Sequence, residues 1–132
     1  MSMHGKSREA QERFAERRRK EDEAPRLRDE APDLRSLRLV IEESRGNTSL
    51  AEARHVRIVI VDRAPALFVL PCGDSDCRDG GHDVTREVMG YLRARATEFV
   101  VTESCHGAVR DVPCGRIMHV KATAGYAPRS GA

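Results

Sequence analysis

Four cysteines, Cys72, Cys77, Cys105 and Cys114, fall within the C-terminal half of a chain of 132 residues and do most to limit what it can fold into. A chain of this length builds one core, and a domain this small buries only about two-thirds of the surface its unfolded chain exposes. With no Trp, three Phe and two Tyr to fill the interior, a cross-link or a metal would add much to its stability. Met1–Lys20 lacks the apolar centre of a secretory signal, and no stretch reaches the roughly 18 apolar residues of a membrane span. A soluble, cytoplasmic protein is therefore expected. In a reducing compartment four cysteines read as a metal site or a redox pair sooner than as a disulfide framework.

The surroundings of the cysteines favour the metal. Pro71-Cys72-Gly73 and Pro113-Cys114-Gly115 place a glycine directly after a cysteine, and Gly lets the backbone wrap a bound ion where a side chain would obstruct it. Cys72 and Cys77, with four residues between them, match known ligand spacing, whereas Cys105 and Cys114, with eight between, do not. The expectation is a zinc-ribbon-like structural site with four thiolates; iron suits the same ligands. His82, His106 and His119 are alternative ligands. Of these His82 is the strongest, because Gly80 and Gly81 give its loop freedom; otherwise it lies in the turn as a group supporting the ligands.

Residues 1–35 are dense in both charges, are interrupted by Pro25 and Pro32, and carry few large apolar side chains. Such a segment cannot bury a core face, and a disordered or partly helical charged tail is expected, with Ser7 to Glu23 as its most helical part. Arg17, Arg18, Arg19 and Lys20 could meet RNA or an acidic protein. Glu16, Glu21, Asp22 and Glu23 flank them, however, and 23 basic against 21 acidic residues leave the chain at +2. No strong field for nucleic acid follows.

Folding begins near Ser36 in this reading and runs through residues 36–127, leaving 128–132 as a loose tail. Leu37, Leu39 and Ile41 alternate with Arg38, Val40 and Glu42 at the period of a half-buried strand, and Gly46 and Asn47 are turn formers. Val56 to Val61 and Ala66 to Leu70 read as two adjacent strands joined by a short turn. Val84, Val88, Leu92 and Ala96 recur every four residues, marking a helix capped by Asp83 or Thr85, in which Gly90 hints at close approach to a sheet. Phe99 to Thr102 and Arg116 to Ala122 complete the order β-β-β-α-β-β around a loop, Gly107 to Pro113. This is an α+β fold: a small, mostly antiparallel sheet with one packed helix.

The run Ala64-Pro65-Ala66-Leu67-Phe68, Pro71-Cys72-Gly73-Asp74, Cys77, Asp79-Gly80-Gly81-His82-Asp83-Val84-Thr85, then Cys105, Gly107 and Cys114, resembles a group of small uncharacterised bacterial proteins. The resemblance spans about Ile58 to Tyr126. It implies that the cysteine loop and the Gly-Gly-His-Asp turn form one local unit, and it implies no activity.

Catalytic patterns are missing from the sequence. It has no H-x-E with P-C-x-x-C of a zinc deaminase, no H-E-x-x-H, no phosphate loop ending in Lys-Ser/Thr and no G-x-S-x-G. Asp74, Asp76 and Asp79 begin like a calcium loop, but the later ligands are misplaced. The reading is a zinc-stabilised, non-enzymatic module that docks on a protein or RNA. The alternative is a small zinc-dependent hydrolase or thiol-redox enzyme, with an open metal position or a reactive cysteine.

Overall fold

The structure is a computed structural model that describes residues 3–45, 53–74, 76–78 and 80–129. In chain order its elements are α1 (Met3–Glu23), α2 (Leu27–Glu30), β1 (Leu34–Arg45), β2 (Ala53–Val59), β3 (Val69–Leu70), β4 (His82–Asp83), α3 (Thr85–Arg93), β5 (Glu98–Ser104), β6 (Ala108–Val109), β7 (Val112–Pro113) and β8 (Arg116–Tyr126). The main sheet has the order β2-β1-β8-β5, and every neighbouring pair in it is antiparallel. The turn expected at Gly46 and Asn47 lies outside the described residues.

Alternation along the strands makes this sheet two-faced. Leu37, Leu39 and Ile41 point to one side with Met118, Val120, Ala122 and Ala124 of β8 and with Phe99 and Val101 of β5, all buried. Val84, Val88, Met89 and Leu92 at the start and along the inner face of α3 cover that side, together with Leu27, Ala66, Phe68 and Leu70. Arg38, Lys121 and Thr123 stay exposed on the opposite face, around a buried Val40. The core thus reaches further towards the N-terminus than Ser36, because Leu27, Ala31 and Leu34 are all buried in it.

Three local expectations are corrected. The segment 66–70 does not pair with β2. Its backbone is engaged elsewhere: the Ala66 N–H donates to Pro25 O at 2.7 Å, the Phe68 N–H to Thr85 Oγ1 at 2.8 Å, and Phe68 O accepts from the Val84 N–H at 2.9 Å. Only Val69–Leu70 forms a ladder, with β4. Second, the helix cap is Val84, without a side-chain cap; Asp83 Oδ1 accepts the Thr85 N–H, while the Thr85 hydroxyl serves Phe68. Third, Gly90 makes no close approach, since a Cβ there meets nothing within 4 Å.

The C-terminal end of α3 is a Schellman turn. The Ala96 N–H reaches Tyr91 O at 3.0 Å and the Arg95 N–H reaches Leu92 O at 3.0 Å, with Arg95 at a positive φ of 58°. A non-glycine residue is costly there. Offsetting contacts hold Arg95: Asp33 Oδ2 at 2.7 Å, Ala127 O at 2.7 Å, and the Tyr126 ring beneath its guanidinium at 5.1 Å.

Phe68 is 1 % exposed beneath α3, so Phe68→Ala is expected to cost roughly 3–5 kcal/mol in urea unfolding. Val100→Ala, on the open face at 51 % exposure, is expected to cost under about 0.5 kcal/mol.

Candidate metal centre

Three pieces of backbone deliver the four cysteines. Cys72 follows β3, and Cys77 closes a turn in which its N–H donates to Asp74 O at 3.1 Å and Asp74 Oδ1 accepts the Asp76 N–H at 2.9 Å. Cys105 extends β5 by one residue, its N–H donating to Arg116 O at 2.8 Å, and Cys114 stands just before β8.

The eight-residue gap between Cys105 and Cys114 is a hairpin. Ala108 pairs with Pro113 and Val109 with Val112, and Arg110 and Asp111 turn the corner at φ 51° and 64°, the two positive values of a type I′ turn. This folds the gap back on itself, so the Cys114 N–H reaches Gly107 O at 2.9 Å. Arg78 and Ala108 exchange hydrogen bonds at 2.8 and 3.0 Å, which fastens the first cysteine loop to the hairpin. The spacing that ligand statistics disfavour is thereby closed by structure.

The four sulfurs converge, with all ligand atoms within 4.8 Å of one another. The Sγ atoms of Cys72 and Cys114 are 3.8 Å apart and those of Cys77 and Cys105 are 3.6 Å apart. A tetrahedral ion with bonds of about 2.3 Å to sulfur holds its ligands about 3.8 Å apart. The donor set therefore fits a four-thiolate metal site, and four cysteines in this arrangement can hold an ion.

Backbone donors prepare the sulfurs for charge. The Asp74 N–H points at Cys72 Sγ (3.5 Å) and the Gly107 N–H at Cys105 Sγ (3.4 Å), each two residues beyond its cysteine. Burial pushes the Cys105 thiol upward, but the N–H groups of Gly81 and Gly107, with Cys77 and Cys72, outweigh it and leave the group below its usual value. Burial pushes Cys72 up to about 11, and the neighbouring Cys114 and Cys105 add to the rise. Cys77 is raised in the same way by burial and the adjoining thiols.

Glycines pack against this cluster. A Cβ on Gly107 would fall 2.5 Å from Cys77 Sγ and 2.6 Å from Arg78 O, and one on Gly80 would overlap Cys77 Sγ and lie 2.9 Å from Cys105 Sγ. Gly115 has the positive φ, 68°, that its place after Cys114 anticipates. Gly73 is required for a different reason: its N–H donates to Glu43 Oε1 at 2.9 Å, and a Cβ would strike that carboxylate. Glu43, buried on β1, so ties the first cysteine loop to the sheet.

The histidines stay out of the cluster. His119 faces the open side of the sheet, with Nδ1 3.0 Å from the Thr102 hydroxyl, and His106 is exposed. His82 is 3 % exposed and sits in β4, but the gathered ligand atoms are all sulfur. Among the described residues neither of its ring nitrogens has a partner at hydrogen-bonding geometry. Burial holds its pKa below the ordinary value, against the pull of Glu43, Glu103 and the Ser104 backbone. Asp79 of the expected loop lies outside the described residues.

A groove of about 510 Å³ opens beside the centre, with Arg13, Phe14 and Arg17 of α1 on one side and Cys72, Asp74 and Cys77 on the other. No family model matches the chain, and no curated protein or solved structure matches it significantly.

Gly107→Ala is expected to displace the Cys77 sulfur, abolishing stoichiometric metal uptake and lowering the urea midpoint. Gly90→Ala, with open space around it, is expected to raise stability by up to about 1 kcal/mol through helix propensity. Metal analysis and urea unfolding of both variants check the pair.

Proposed function

We infer that Cys72, Cys77, Cys105 and Cys114 hold one structural zinc ion, and that the chain is a metal-stabilised, non-enzymatic binding module. The observation that carries this reading is the set of sulfur separations, 3.8 and 3.6 Å, together with N–H groups aimed at the sulfurs. Four thiolates complete a tetrahedral shell, and a closed shell leaves no position for water or substrate. That favours structure over hydrolysis. Iron with the same ligands is the alternative filling, and the metal analysis below distinguishes the two.

The ion, when bound, joins segments that otherwise share few apolar contacts: the loop after β3, the end of β5 and the β6–β7 hairpin. Because such a site does not exist in the unfolded chain, its binding free energy, about 10 kcal/mol or more for zinc in small domains, becomes folding free energy. Gly80 and Gly107 keep the sulfurs at packing distance, and Glu43 anchors the arrangement to the central strands.

The groove beside the centre gives such a module a docking place, with charges of both signs on its walls. A protein segment suits it better than RNA. The basic run Arg17, Arg18, Arg19 and Lys20 is exposed on α1, but Lys20 lies 3.7 Å from Glu16 and further acids follow at Glu21, Asp22 and Glu23. Cellular location is taken to be the cytoplasm, where thiols stay reduced; among the described residues no helix is long and apolar enough to cross a membrane.

Protein purified without chelator is expected to contain one equivalent of zinc. Cys105→Ser is expected to lose both the metal and cooperative unfolding. Absence of metal, with unchanged unfolding in the variant, would overturn the reading. If α1 instead binds RNA, affinity must fall steeply between about 50 and about 200 mM salt, and an unchanged affinity rules RNA out.

A further inference from the structure

The β2 edge carries apolar side chains that the fold leaves bare. Val56, Ile58 and Ile60 are 44 %, 65 % and 63 % exposed, and β2 pairs with β1 alone among the described residues. Val56 and Ile58 stand opposite Val40 and Arg38 of β1, on the face that α3 does not cover. An exposed apolar edge of this kind is a template for pairing with another strand.

The order of side chains along this edge says which strand. Reading every second residue gives Arg54, Val56, Ile58, Ile60 and Asp62: a cation, three apolar groups and an anion. An antiparallel copy related by a two-fold axis through Ile58 sets Ile58 against itself and Val56 against Ile60, and brings Arg54 towards Asp62 in the turn beyond the strand. The sequence is complementary to itself in that one register, as an isologous contact requires. Centring the pair on Val56 instead would place His55 beside Arg57 and leave Arg54 facing Ile58.

The backbone permits this register. Ile60, one residue past the end of β2, opens the turn that follows: its carbonyl accepts the N–H groups of Arg63 and Ala64 at 3.0 and 2.9 Å, so pairing with a second copy ends at this residue. Asp62 is exposed at the turn itself. Arg54 contacts Glu42 at 3.6 Å, but Glu42 also has Lys121 at 3.5 Å, so the carboxylate keeps a cation when Arg54 swings across to a new partner.

We propose that β2 is a homodimerisation edge, which pairs antiparallel with β2 of a second copy about Ile58 and joins two four-stranded sheets into one of eight strands. The proposal is independent of the metal reading, since none of these residues touches the cysteine cluster.

Sedimentation equilibrium of the full chain, with metal content measured on the same samples, tests it. The wild type is expected to dimerise. Ile58→Lys sets like charges on the two-fold axis and is expected to give a monomer with unchanged circular dichroism and metal content. Asp62→Arg places two arginines against Arg54 in each dimer and is expected to weaken association by roughly tenfold. Adding Arg54→Asp to Asp62→Arg reverses the pair and is expected to restore the dimer. A wild type that stays monomeric at every concentration, a dimer that survives Ile58→Lys, or a double variant that fails to recover would each overturn the proposal.

Discussion

The long antiparallel pairing of β1 with β8 is the constraint on which the rest of the structure depends. It runs from Leu34 opposite Tyr126 to Arg45 opposite Arg116, joining the beginning of the sheet to the end of the chain. Its alternation decides which side chains face α3. Its length fixes where the ladder stops, and Ile117 opposite both Ser44 and Ser104 marks the end from which Cys105 and Cys114 emerge. A slip of one residue in β8 would turn Met118, Val120 and Ala122 to the open face and carry Cys114 away from the other sulfurs.

The cysteine cluster is an extension of that sheet. Cys105 and Cys114 are positioned by the β5–β8 ladder and the hairpin between them, and the Cys72 loop is held by Glu43 on β1 through the Gly73 N–H. A buried carboxylate needs hydrogen-bonding partners, and this one is used to fasten a loop with few apolar side chains of its own. The cluster's electrostatics follow from the same backbone. Burial and then the neighbouring thiols raise the cost of charge at Cys72, while backbone N–H groups together with the adjoining thiols lower it at Cys105. A metal ion held by all four as thiolates would resolve the conflict.

The parts of the fold that were legible in the sequence are those governed by local period. Leu37, Leu39 and Ile41 announced β1, and the four-residue spacing of Val84, Val88 and Leu92 announced the buried stripe of α3. The α+β class, with a mostly antiparallel sheet, followed from these. The segment 66–70 misled because apolar, Pro-bounded runs look alike whether they join a sheet or cross its face. Its hydrogen bonds to Pro25 and Thr85 depend on chain segments far from it in sequence. Gly90 misled for a related reason: a glycine marks conformational freedom or close approach, and nothing local says when it marks neither.

The cysteines show the same division. By itself the sequence determined four thiols, glycines beside two of them, and too few large side chains to make a core without help. Gly107 to Pro113 read only as a loop, because Arg110-Asp111 is not the Asn-Gly or Asp-Gly pair that marks a type I′ turn. Only the tertiary structure decided that the hairpin closes the gap, that Gly80 and Gly107 lie against sulfur, and that His82 is buried without joining the ligands. Convergence of four atoms from three separate loops is set by strand register and chain reversal, which are properties of long-range pairing and have no counterpart in the neighbours of any one residue.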